Sequence, residues 1–131
     1  MTGARRTIDG LLAEARGRIR RLEPGAALVA MGDGALLVDT RSSDLRRETG
    51  IIPGSVHVPL SVLFWRLDPT SGYDDPALSG LERPVILVCA HGYSSSLAAA
   101  TLVDLGFAFA GDVIGGFEAW AAAGLPVVPA P

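Results

Sequence analysis

Cys89 is the only cysteine in the 131-residue chain, and it sits where reactive cysteines are placed. It ends the apolar run Pro84-Val85-Ile86-Leu87-Val88. It is followed by Ala90-His91-Gly92-Tyr93 and then by Ser94-Ser95-Ser96, which opens a helical pattern (Leu97, Ala98, Thr101, Leu102, Leu105) closed by Gly106. A strand-length run apolar throughout is a central parallel strand with both faces covered. The loop beyond the carboxyl end of such a strand is where ligands bind in open α/β sheets. Amides of that loop and of the first helical turn form an anion cradle, which favours a thiolate over a thiol. Lowering a thiol pKa by two units from about 8.5 takes ~2.7 kcal/mol of preferential stabilisation. A helix terminus gives up to ~2 kcal/mol, and a few amide donors supply the remainder. Position alone leaves two readings of Cys89: a nucleophile, or a small buried apolar side chain at a strand end.

The rest of the composition removes alternatives. One cysteine allows neither an internal disulfide nor a cysteine-based zinc site, and points to a reducing, cytoplasmic setting. Two histidines without clustered carboxylates make a metal site improbable. A net charge of -3 gives no footprint for nucleic acid. No apolar run reaches the ~18 residues of a membrane span, and no secretion signal is expected. All basic residues are arginines, so no lysine amine takes part in any chemistry.

The surrounding elements follow from periodicity. Ile8, Leu11, Leu12, Ala15, Ile19 and Leu22 form one stripe, which predicts a helix over Thr7–Leu22 ended by Glu23-Pro24-Gly25. That stripe calls for a partner surface, in this domain or in a second copy. A short helix is expected from Pro24 to Met31 and a buried strand at Ala35–Val38. A small helix follows, capped by Ser42 or Ser43, then a turn at Ile51–Ser55 and a short strand at Val56–Val58. A helix after Pro59 carries Leu60, Leu63, Phe64 and Leu67 on one side. Asp68–Arg83 reads as a surface loop with one helical turn near Ala77. The chain closes with a strand at Asp112–Ile114 and a helix at Phe117–Ala123. Strands alternating with helices imply an α/β fold, with a central parallel sheet and helices on both faces.

With these elements in place, the chain resembles the rhodanese family over roughly residues 24–128. Leu36-Leu37-Val38-Asp39-Thr40-Arg41 is similar to the family's first strand with its Asp-x-Arg ending. Gly50-Ile51-Ile52-Pro53-Gly54-Ser55-Val56-His57-Val58-Pro59 resembles its Gly-His-Ile-Pro-Gly-Ala turn and following strand. Cys89-Ala90-His91-Gly92-Tyr93-Ser94-Ser95 resembles its active-site loop. Gly115-Gly116-Phe117-Glu118-Ala119-Trp120 with Gly124-Leu125-Pro126-Val127 resembles its C-terminal signature. The resemblance implies a rhodanese-like sheet of about five strands in residues 24–131, with residues 1–23 as an N-terminal helical extension.

It also implies an activity. Cys89 takes a sulfur atom from a small donor such as thiosulfate or a low-molecular-weight persulfide, and a thiol or cyanide removes it. The covalent intermediate is a Cys89 persulfide held by the amides of Ala90, His91, Gly92, Tyr93, Ser94 and Ser95. No cofactor is implied, and a protein acceptor reached through the Thr7–Leu22 helix stays open. A sulfur-carrier or regulatory binding module with little turnover is the alternative.

Two departures matter. Many family members have arginine at the sixth loop position, where this chain has Ser94, so a doubly charged donor is attracted less strongly. Cysteine phosphatases need an arginine six positions past the nucleophile to clamp phosphate, and that position is Ser95. Asp39, Arg41 and Arg66 are supporting candidates. Arg41 belongs to the site's positive field or, as the favoured reading, to a buried ion pair with Asp39. Trp65 and Arg66 rim the pocket or are a core tryptophan and a solvated arginine. His91 is expected to face solvent, and His57 and Trp120 to be packed.

Overall fold

The computed structural model describes residues 5–131. Its elements are α1 (Ile8–Arg16), β1 (Arg20–Leu22), α2 (Pro24–Gly32), β2 (Leu36–Asp39), α3 (Ser43–Thr49), β3 (Val56–His57), α4 (Leu63–Leu67, entered by a 3-10 turn at Leu60–Val62), β4 (Val85–Val88), α5 (Ser94–Asp104), β5 (Ala110–Val113) and α6 (Gly116–Ala122). The five strands form one parallel sheet in the order β1-β5-β4-β2-β3. β4, the strand that delivers Cys89, is at its centre.

Alternation along the strands sorts the core into two layers. Leu36, Val38, Val85 and Leu87 face Leu63 and Leu67 of α4 and Ala98, Ala99 and Leu102 of α5. Leu37, Ile86, Val88 and Val113 face Ala27 of α2 and Phe117 and Trp120 of α6. The expected burial of Trp120 is complete, and its indole N–H donates to the Pro126 carbonyl at 2.9 Å. Ser42 caps α3 by accepting from the Leu45 amide at 3.1 Å.

The single helix expected over Thr7–Leu22 is not formed. Thr7 does cap a helix, but α1 ends at Arg16, with Gly17 as its C-cap, and Arg20–Leu22 is an edge strand. The strand wins because it meets the open edge of β5: Arg20 lies opposite Gly111, Arg21 opposite Asp112 and Leu22 opposite Val113. The approach is close, since a Cβ at Gly111 would lie 1.9 Å from the Arg20 carbonyl oxygen. Part of the apolar stripe is covered within the domain, where α1 lies against α5 with Ala15 buried. Ile8 and Leu11 remain exposed. Residues 1–4 of the expected extension lie outside the described residues.

At the carboxyl end of β2, Asp39 is wholly buried and is met by two arginine side chains. Arg41 donates from Nη2 at 2.8 Å and from Nε at 3.0 Å, and Arg46 donates from Nε at 3.2 Å. Arg41 also donates to Thr49 Oγ1 at 2.8 Å and to the Gly50 carbonyl at 2.9 Å, and it stacks on the Phe117 ring. Removing one partner of a buried ion pair leaves the other charge without compensation. Asp39→Ala is therefore expected to lower unfolding free energy by about 3–5 kcal/mol, read from urea unfolding; an unchanged midpoint would show that the pair does not hold the loop.

Candidate active site

Cys89 is the first residue beyond β4, and its side chain is 6% exposed. The loop after β4 aims its donors at Sγ. The Gly92 amide donates to it at 3.1 Å, and Ser95 Oγ lies at 3.2 Å. Burial of the sulfur works against its charged form. Hydrogen bonds from the Ser95 and Ser94 side chains and from the Ser95 and Gly92 amides outweigh that cost, and the thiol pKa is held below its ordinary value. A pocket of about 190 Å³, lined by Cys89, Ala90, His91, Tyr93 and Ser94, opens over the sulfur. It is the size of a small anion or of the end of a longer molecule.

The loop is held from outside as well as from within. Gly92 adopts φ +85°, and a Cβ there would lie 2.7 Å from the Gly115 amide nitrogen. This conformation sends its N–H to the sulfur and its C=O the other way. That carbonyl accepts from Arg16 Nη2 at 2.7 Å and from Arg21 Nη2 at 3.1 Å. Arg16 comes from α1 and Arg21 from β1, so the N-terminal segment grips the loop directly. On the opposite flank the first amides of α6 complete the loop: Phe117 N–H donates to the Cys89 carbonyl at 2.8 Å and Glu118 N–H to the Ala90 carbonyl at 3.1 Å.

Of the residues the sequence nominates, Ala90 to Ser95 are gathered around the sulfur. Tyr93 forms part of the pocket wall and is largely exposed, with the Arg16 guanidinium 5.5 Å from its ring centre. His91 faces solvent and pairs with Glu118 at 2.9 Å. Asp39 and Arg41 form the buried pair described above. Arg41 additionally lines a groove of about 450 Å³ with Leu45, Thr49, Phe117, Ala90 and His91, so it reaches the neighbourhood of the site with its donors already committed. Arg66 is not brought to the sulfur. Its Nη1 donates to the Tyr73 carbonyl at 2.8 Å and its Nη2 lies 3.7 Å from Asp75, which ties it into the loop after α4. Trp65 is exposed and lines a different groove, with Phe64 and Thr101. His57 Nε2 meets the Arg41 carbonyl at 2.7 Å. Among the described residues no group of three or more His, Cys, Asp or Glu is placed to hold a metal ion.

Behind the loop stands a carboxylate that the sequence does not single out. Asp112 of β5 is completely buried. It accepts from Ser95 Oγ and Ser96 Oγ, each at 2.7 Å, and from Arg21 Nε at 3.0 Å. The signal was present: an aspartate inside a strand whose every residue is buried needs a partner or a task. Arg16 and Arg21 carry no such signal, since both fall outside the apolar stripe of Thr7–Leu22.

Comparison with known proteins bears on this geometry. The family model described as rhodanese-like domain matches residues 23–123. A thiosulfate sulfurtransferase GlpE of Pseudomonas savastanoi pv. phaseolicola is 40% identical over 103 residues, covering 79% of this chain and 88% of the relative. The structure of a Rhodopseudomonas palustris protein of unknown function, described as a possible tyrosine phosphatase, superposes with a TM-score of 0.87 at 31% identity over 98% of each chain. The polysulfide-sulfur transferase homodimer of Wolinella succinogenes gives a TM-score of 0.70 at 26% identity, over 91% of this chain and 85% of that one.

The geometry makes Gly92 the most sensitive backbone position of the loop. In Gly92→Ala a left-handed backbone costs about 1–2 kcal/mol and the new methyl meets the Gly115 amide. The amide then moves off the sulfur. A thiol pKa raised by about one unit cuts the thiolate fraction near neutrality by up to about tenfold. Alkylation of Cys89 by iodoacetamide at pH 7 is expected to slow by that factor; an unchanged rate would show that the Gly92 amide does not stabilise the sulfur.

Proposed function

This chain belongs to the rhodanese-like domain family and is a sulfurtransferase of rhodanese type; we propose that it carries the transferred sulfur as a Cys89 persulfide cradled by Ala90–Ser95. The observation that carries this reading is a buried sulfur surrounded by donors and opening on a small pocket. A lone pair on the Cys89 thiolate attacks the outer sulfur of thiosulfate. The sulfur–sulfur bond of the donor breaks, and its electron pair leaves with sulfite. The negative charge now sits on the outer sulfur of the persulfide, facing the amides of the loop. A thiol or cyanide then attacks that outer sulfur, and the bonding pair returns to Sγ. With one cysteine in the chain, no internal thiol competes for the guest sulfur.

Ser94 supports a refinement of this reading. It gives the pocket a hydroxyl where a cationic loop would give a full charge, so neutral or singly charged persulfides compete well with thiosulfate as donors. The groove lined by Leu45, Phe117 and Ala121 shares Ala90 and His91 with the sulfur pocket and gives room for the body of a thiol acceptor. A lone free thiol suits a reducing compartment such as the cytoplasm. No helix among the described residues is long and apolar enough to cross a membrane.

A phosphatase reading gains no support from the loop. The position six residues past Cys89 is Ser95, and the nearby guanidinium groups of Arg16 and Arg21 are directed at the Gly92 carbonyl and at Asp112. Neither is free to clamp a phosphate in the pocket.

Intact mass after incubation with thiosulfate tests the proposal. The chain is expected to gain one sulfur atom, to lose it on addition of cyanide, and to gain nothing as Cys89→Ser. Failure to gain sulfur from thiosulfate or from glutathione persulfide would contradict the enzymatic reading and favour a regulatory module.

A further inference from the structure

Asp112 is not required by any step above, yet it is fully buried two hydrogen bonds from the nucleophile. Burying a carboxylate is costly, and its partners show what it is connected to. Ser95 Oγ lies between Cys89 Sγ at 3.2 Å and Asp112 Oδ2 at 2.7 Å. A serine hydroxyl has a single proton. While Cys89 is a thiol, both contacts are satisfied: the S–H donates to Ser95 Oγ, and Ser95 O–H donates to Asp112. Once Cys89 ionises, the S–H is gone and two anionic acceptors face one hydroxyl proton.

Asp112 can release that proton without becoming unpaired. Ser96 Oγ donates to the same carboxylate oxygen at 2.7 Å. Arg21 donates to Oδ1 at 3.0 Å and reaches Oδ2 at 3.4 Å. Ser95 is thus a rotor between two acceptors, and the better anchored of the two is the carboxylate. The other charged groups near the sulfur are occupied elsewhere. Arg16 is engaged by the Gly92 carbonyl and Ser96, His91 by Glu118 at the exposed rim, and Arg41 by Asp39.

We propose that Asp112 is a positioning residue for Cys89, acting through competition for the Ser95 proton: Ser95 turns to the sulfur when it is a bare thiolate and back to Asp112 when the sulfur carries a guest. The second half of this cycle rests on the sulfurtransferase reading. On loading, the charge moves from Sγ to the outer sulfur as the donor's bond breaks. Sγ becomes a neutral divalent sulfur and a weak acceptor, and the Ser95 proton returns to Asp112. On unloading, the Sγ–S bond breaks, its electron pair returns to Sγ, and Ser95 turns to meet the departing thiolate. Asp112 raises the free energy of the bare thiolate relative to the loaded state, and so favours holding sulfur over sitting empty.

The test uses the full chain, whose one cysteine makes alkylation unambiguous. Rates with iodoacetamide are measured against pH for the wild type, Asp112→Asn, Ser95→Ala and the double variant. Asp112→Asn keeps the shape and removes the charge, and is expected to lower the alkylation midpoint by about half a pH unit or more. With Ala at position 95 that fall is expected to shrink to half or less. A smaller fall, a rise, or a fall that survives intact without Ser95 would overturn the proposal. Should Asp112→Asn fail to fold because Arg21 loses its charged partner, Ser95→Ala alone decides. A rise of less than about one unit fits a hydroxyl shared with Asp112, and a larger rise marks an uncontested donor and overturns it. Alkylation needs no sulfur donor. A chain that alkylates as expected but never gains sulfur from thiosulfate would refute the proposed function while leaving the Asp112 assignment intact.

Discussion

A sulfur anion removed from water must find its solvation in the protein. At Cys89 that requirement falls on one loop, Gly92 to Ser95, in which the Ser95 hydroxyl contributes most. The Gly92 amide points at the sulfur, and the same residue's carbonyl points away into the grip of Arg16 and Arg21. The two ends of Gly92 are coupled because its left-handed backbone fixes one relative to the other. A donor aimed in advance costs nothing to reorient at the moment of reaction, which is the general advantage of preorganised dipoles over solvent.

Much of the fold serves this arrangement. The central strand β4 fixes the starting point of the loop, and α5 continues it with Ser94 and Ser95 in the first helical turn. β1 adds an edge strand to the sheet, and its register sets Arg21 opposite Asp112. That pair ties the N-terminal segment to the floor of the site, where Ser95 and Ser96 meet the same carboxylate. One crevice over, Asp39 and Arg41 repeat the theme at the end of β2, where the ion pair organises Thr49 and Gly50 instead of a substrate. The two buried aspartates therefore have different surroundings. Asp39 meets two arginines and a loop, whereas Asp112 meets one arginine and two hydroxyls, one of which touches Cys89 Sγ.

The features legible in the sequence are those written in local chemistry. The apolar run before Cys89 identifies its strand by hydrophobicity alone, and glycine and serine after it identify the turn into a helix. Ser42 and Thr7 are caps recognisable by residue type. The fold follows from these, and the family membership agrees with it, whereas local chemistry alone leaves Cys89 as either a nucleophile or a small buried apolar side chain. β1 was not legible, because Arg20-Arg21-Leu22 has no strand pattern of its own and pairs only because β5 offers an unfilled edge. The arginines of that segment consequently read as solvated helix positions when they are in fact the outer support of the loop. Of the two readings of Arg66, pocket rim or solvated arginine, the structure favours the second: its side chain is half exposed, and its guanidinium is held by the Tyr73 carbonyl and Asp75. Asp112 was legible in principle, as an acidic residue in a strand otherwise committed to the core.

The central claim is that the loop keeps Cys89 ionised more readily than a free thiol. Ultraviolet absorbance of the thiolate, followed through a pH titration of the intact chain, measures this directly, since only one cysteine contributes. Because thiolate is lost as pH falls through the folded pKa, the account predicts a midpoint below the ordinary thiol value of about 8.5. A midpoint at or above that value would contradict it.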